Sequence, residues 1–85
     1  MTEAEILDTV RAVIRDELRL DAPVAPSTHL VRDLQLDSLK QVTLVVELEN
    51  RFRVRLDDGD EEGLETLADV ARLIQRRLSE KAPRD

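Results

Sequence analysis

The chain has 85 residues, 41% of them apolar and 38% charged, and 13 basic against 19 acidic side chains leave a formal net charge of −6. That length holds one small domain, expected over residues 1–80 with a frayed tail at 81–85, and the acidic balance excludes a general nucleic-acid binder. With no cysteine and one histidine, a disulfide framework, a thiolate nucleophile and a multi-His metal centre are also excluded.

No apolar run approaches the roughly 20 residues of a membrane span. Met1-Thr2-Glu3 does not open a secretory signal either. The expectation is a soluble, cytoplasmic monomer that binds neither membrane nor nucleic acid. Phe52 is the sole aromatic, so the core is aliphatic, as suits packed helices.

The first helix is expected from about Glu3 to Leu18. Ile6, Val10, Val13, Ile14 and Leu18 share one face of it. Thr2 with Glu5 forms a capping-box start. Between Leu20 and Asp37, Pro23 and Pro26 forbid a continuous helix. This stretch reads as a long loop, with one helical turn near Ser27–Val31, pinned to the core by Leu30, Val31, Leu34 and Leu36. Long loops inside compact domains usually have a task.

The second helix is expected from about Ser38 to Arg53. Leu44, Val45, Leu48 and Phe52 form its core face, while Leu39, Val42 and Val46 gather on roughly the opposite side. A middle helix of a small bundle cannot easily bury both faces. The second stripe is expected to meet a partner, unless Leu34 or Leu36 folds back over it. Residues 57–65 then hold six acidic side chains and no basic one, so the whole net charge resides in that loop, which has room for one short helix. The last helix is expected to start at Thr66 under a Thr66–Asp69 cap and to bury Leu67, Val70, Ala71, Ile74 and Leu78. Its basic end and Pro83 suit a helix C-terminus.

Ser38 sits where the long loop meets a helix N-terminus. A phosphate ester on its oxygen would lie near free N–H groups and the positive end of the helix dipole. Position alone favours a cap instead: Ser38 with Gln41 fits a capping box, and Asp37 is also placed to cap.

The segment Asp33-Leu34-Gln35-Leu36-Asp37-Ser38-Leu39 resembles the acyl carrier protein family. That family shows a Leu-Gly-x-Asp-Ser-Leu signature at the start of the second helix of a four-helix bundle. Leu34, Asp37, Ser38 and Leu39 match it. Val42, Leu44, Val45, Leu48, Glu49 and Phe52 are similar to the family's continuation, as are Leu30 and Asp33 upstream and Thr66-Leu67 at the final helix. The resemblance covers about residues 3–80. It implies an all-α bundle of three long helices and one short one, and a protein that is not itself an enzyme. It implies 4′-phosphopantetheine, taken from coenzyme A by a phosphopantetheinyl transferase, esterified to Ser38 beside Asp37. The terminal thiol of the arm then carries acyl cargo as thioesters. The implied partners are that transferase, an acyl-loading enzyme (acyltransferase or acyl ligase), and a ketosynthase or other pathway enzymes. They would be met by Leu39, Lys40, Val42, Thr43, Val46, Glu49 and Asn50. Aminoacyl, peptidyl and aryl carriers, and an unmodified helical adaptor, are the alternatives.

Two positions depart from the family pattern. Gln35 replaces the usual glycine and is expected to keep φ negative, because it has a Cβ. The exposed face of the second helix is nearly neutral, with Lys40 where fatty-acid-type members carry acids. That favours polyketide or other specialised assembly over housekeeping fatty-acid synthesis.

Other constellations are weaker. The run from Asp58 through Gly63 to Asp69 has an EF-hand outline, but Asp69 is short for the bidentate position and Glu65 stands where an apolar residue belongs. It is expected to be a solvated acidic loop without a specific metal. Ser38, His29 and Asp33 or Asp37 suggest a hydrolase triad only by composition. No oxyanion hole accompanies them, and His29 is expected to be a loop residue at the surface.

Overall fold

The computed structural model describes residues 2–21, 24–57, 59 and 63–81. Among these, three helices are present: α1 (Glu3–Asp16), α2 (Ser38–Phe52) and α3 (Leu67–Lys81). The fold is therefore all-α. The fourth, short helix and the EF-hand-like run were expected in the acidic stretch, where residues 58 and 60–62 lie outside the described residues. So does the tail beyond Lys81.

Each helix begins where local chemistry satisfies its free amides. Thr2 Oγ1 accepts from the Glu5 N–H at 3.2 Å, while Glu5 Oε1 accepts from the Thr2 N–H at 2.7 Å, the reciprocal box read from the sequence. The Thr2 bonds also hold the Glu5 carboxyl below its ordinary value. At α3, Thr66 Oγ1 accepts from the Asp69 N–H at 3.3 Å, and Asp69 Oδ2 accepts from the Thr66 N–H at 3.0 Å. Thr66 is thus the cap and Leu67 the first helical residue. α1 stops at Asp16, short of Leu18, where Arg19 turns left-handed (φ 59°). α2 stops at Phe52, where Arg53 caps it with φ 58° and donates its N–H to the Glu49 carbonyl.

α1 packs against both α2 and α3. Ile6, Val10, Val13 and Ile14 are almost wholly buried against Leu48, Leu67 and Ile74. Leu7 and Leu73 join this core without having been expected there. Leu78 and Val45 are only half-buried.

From residue 24 onward the long connection is held to the core by its leucines and by backbone bonds. Leu30, Leu34 and Leu36 are buried, as expected, but Val31 is 54% exposed. The helical turn lies a little later than read from the sequence. The Asp33 and Leu34 amides donate to the His29 carbonyl, and the Gln35 amide donates to Val31. Backbone pairing then ties the loop to the start of α3. His29 bridges Thr66, Leu30 N–H donates to the Glu65 carbonyl, and the Leu67 and Ala68 amides donate to the Thr28 and Pro26 carbonyls. Two first-turn donors of α3, which have no partner inside the helix, are satisfied this way.

Gln35 corrects the sequence reading. Its φ is +55°, not negative. The turn ends there in a left-handed residue, and the Leu36 amide returns to the Leu30 carbonyl at 3.1 Å, which lets Leu34 and Leu36 both enter the core. Burying two leucines on either side of the turn outweighs the strain of one Cβ at positive φ.

Candidate functional site around Ser38

The choice of cap decides the state of Ser38. Asp37 is the N-cap of α2, with extended backbone, and its Oδ1 accepts from the Lys40 N–H at 2.8 Å. Gln41 does not complete a box with Ser38. Its side-chain amide donates instead to the Leu36 carbonyl at 3.0 Å. Ser38 is therefore the first helical residue. It is exposed, and its hydroxyl has no hydrogen bond among the described residues. A carboxylate that caps frees the neighbouring hydroxyl for chemistry. Ser38 stands at the positive end of the α2 dipole, where first-turn amides lack partners within the helix. An exposed, unengaged hydroxyl at a helix start fits a phosphodiester link.

Around it lies an apolar surface. Leu39 is 74% exposed, Val42 51% and Val46 45%. Leu34 and Leu36 point into the core and do not cover this stripe. Lys40 and Asn50 are exposed at its rim. The other two rim residues are engaged within the fold. Thr43 Oγ1 donates to the Leu39 carbonyl at 2.9 Å, and Glu49 Oε2 accepts from the Leu56 N–H at 2.8 Å, holding the chain that leaves α2. Between α2 and the neighbouring segments, Leu30, Gln41, Leu44, Val45, Leu48, Leu56, Leu64 and Val70 line an apolar seam of about 20 Å³. That is room for about one water.

The triad read from composition does not form. His29 Nδ1 accepts from the Val31 and Arg32 amides, Asp33 accepts from the His29 N–H, and Asp37 caps α2. His29 is a half-buried capping residue, a role sequence reasoning missed. The signal available was Asp33 four residues on, able to return a bond to the His29 amide. Asp69 is likewise committed to the fold. The Thr66 N–H first of all, then the Glu65 N–H and the Arg72 guanidinium, hold its carboxyl below the ordinary carboxylate range. No group of three or more metal-ligating side chains occurs among the described residues. No helix among them is long and apolar enough to cross a membrane.

Set against known proteins, residues 8–74 match the family model described as a phosphopantetheine attachment site. An acyl carrier protein of Thermosynechococcus vestitus is 36% identical over 80 residues, covering 93% of this chain and 99% of the relative. One from Thermotoga maritima is 36% identical over 75 residues, covering 87% and 93%. Among solved structures, an acyl carrier protein candidate of Mycobacterium tuberculosis superposes with a TM-score of 0.73 at 30% identity, covering 87% of this chain and 95% of that one. The Thermotoga maritima acyl carrier protein crystal structure gives 0.85 at 17% identity over 94% of both chains, a likeness of fold.

The proteins matched in this way are carriers rather than enzymes. The chain belongs to the acyl carrier protein family, whose members carry covalent 4′-phosphopantetheine and are served by a phosphopantetheinyl transferase and by acyl-handling enzymes.

Proposed function

We propose that Ser38 is the point of phosphopantetheine attachment and that residues 1–80 act as one carrier domain for a dedicated biosynthetic assembly, polyketide or similar, rather than for housekeeping fatty-acid synthesis. The observation that carries the attachment is the division of labour at the head of α2: Asp37 caps, and Ser38 is left exposed and unbonded. When bound, the arm supplies a terminal thiol on which acyl cargo rides as a thioester. A flexible tether presents one cargo to several active sites at high effective concentration.

Asp37, fixed by its bond to the Lys40 amide, gives a transferase a rigid carboxylate next to the reacting hydroxyl. Leu39, Val42 and Val46 form the apolar centre of the partner face, with Lys40 and Asn50 at its rim and Thr43 and Glu49 along its edge. An apolar centre with a polar rim is the usual anatomy of a transient interface. The near-neutral α2, with Lys40 in its first turn, supports the dedicated pathway, because charge at a rim governs partner choice and on-rate. Lys40→Glu is expected to shift preference towards enzymes built for an acidic carrier helix. Unchanged relative rates with a polyketide and a fatty-acid ketosynthase would remove that part of the reading.

The decisive experiment is intact mass spectrometry after incubation with coenzyme A and a promiscuous phosphopantetheinyl transferase. One phosphopantetheine increment is expected on the wild type and none on Ser38→Ala. An increment that survives the substitution, or its absence from folded wild type, overturns the assignment.

A further inference from the structure

The turn that leads to Ser38 is closed by an imidazole. The His29 N–H donates to Asp33 Oδ2 at 2.8 Å, and His29 Nδ1 accepts from the Val31 N–H at 3.1 Å and the Arg32 N–H at 3.0 Å. The arrangement is reciprocal, like a capping box, with a ring nitrogen where a hydroxyl or carboxylate oxygen ordinarily stands. Nδ1 can accept only while it is bare, so the network assigns the ring proton to Nε2.

From this turn the bonds run directly to the head of α2. Gln35 N–H reaches the Val31 carbonyl, Leu36 N–H reaches Leu30, and the Leu36 carbonyl accepts from the Gln41 side chain inside the first turns of α2. We infer that His29 is a positioning residue for Ser38, holding the turn through an unprotonated Nδ1, so that a proton on that nitrogen loosens presentation of the serine. A second ring proton turns the acceptor into a donor aimed at two N–H donors. Both bonds are lost together, and the turn loses its N-terminal closure.

The charged groups on the elements paired with His29 do not duplicate its task. Asp33 is bonded to the His29 N–H, and Arg32 is exposed on the same turn. Across the bridge to Thr66, Glu65 is exposed, and Asp69 is held by the Thr66 and Glu65 amides and by Arg72.

The functional half of this inference rests on Ser38 being the modified residue, so the test has two readouts. Wild type, His29→Ser and His29→Phe are compared from neutral pH down to the onset of acid unfolding, by amide chemical shifts and by rate of phosphopantetheine loading. Serine supplies an acceptor that does not titrate; phenylalanine supplies none. In the wild type, the Val31, Arg32, Ser38 and Leu39 amides are expected to shift together when Nδ1 gains a proton. Its loading rate relative to His29→Ser, measured in the same reaction, is expected to fall several-fold over that range. His29→Ser shows no such shift, and His29→Phe loads slowly throughout. Superimposable profiles for wild type and His29→Ser overturn the inference. So do Ser38 and Leu39 amides that ignore ring protonation. If the wild type is not loaded at any pH, the Ser38 assignment fails and the amide titration alone decides the positioning role.

Discussion

Gln35 offers the cleanest perturbation in the molecule. It holds φ at +55°, where a residue with a Cβ loses about 1–2 kcal/mol. Its side chain is exposed and makes no hydrogen bond among the described residues, so truncation removes no contact. Its N–H to the Val31 carbonyl is backbone and survives. Gln35→Gly therefore relieves the left-handed strain, offset in part by the greater freedom of glycine in the unfolded chain, about 0.5–1 kcal/mol. The net expectation is a stabilisation of about 0.5–1 kcal/mol, which raises the Tm of a domain this size by about 2–8 °C. Thermal denaturation followed by circular dichroism reads it directly, with Gln35→Val as the opposite control because a β-branched side chain tolerates positive φ worse. A Gln35→Gly protein that melts at or below the wild-type temperature, with native helicity, would refute the account of the turn.

Three further outcomes follow from the geometry. Asp37→Ala removes the α2 cap and is expected to cost about 0.5–2 kcal/mol in urea unfolding, while Ser38→Ala stays within about 0.5 kcal/mol of wild type; equal losses would mean that the serine also caps. The Asp69 carboxyl, lowered by the Thr66 and Glu65 amides and Arg72, contributes stability that is present above its unfolded value and lost as pH falls through its folded value. Asp69→Asn should thus lower stability at neutral pH and flatten the acid limb of a stability–pH curve, and an unchanged acid limb would contradict the cap. Leu48→Ala opens a hole under the middle of α2 and is expected to cost about 2–5 kcal/mol in the same urea assay.

What the sequence made legible was local. The Thr2–Glu5 and Thr66–Asp69 boxes place both partners within one turn, so the helix starts could be read from residue types alone, and the apolar spacing of α1 and α2 fixed their buried faces. Less could be read where the deciding partner is distant or the rule has two solutions. Asp37 and Ser38 both suit a cap, and only the extended backbone of Asp37 with its bond to Lys40 separates them. Gln35 was assigned the φ its own chemistry prefers, but the core demand of Leu34 and Leu36 overrode that preference. Val31 lies in the same apolar cluster yet faces out, because the turn around it is set by His29. Imidazole is not an ordinary capping group, and the pairing of residues 28–30 with 65–67 has no signature in either segment.

That pairing also sets an order of events. The stretch just ahead of the serine borrows its shape from residues 65–68, which emerge from the ribosome well after Ser38 has been made. A nascent chain cut short before Leu67 lacks the strap that holds this stretch. Shaping of this turn therefore waits for the last helix, since contacts this far apart along the chain form only when both ends are available.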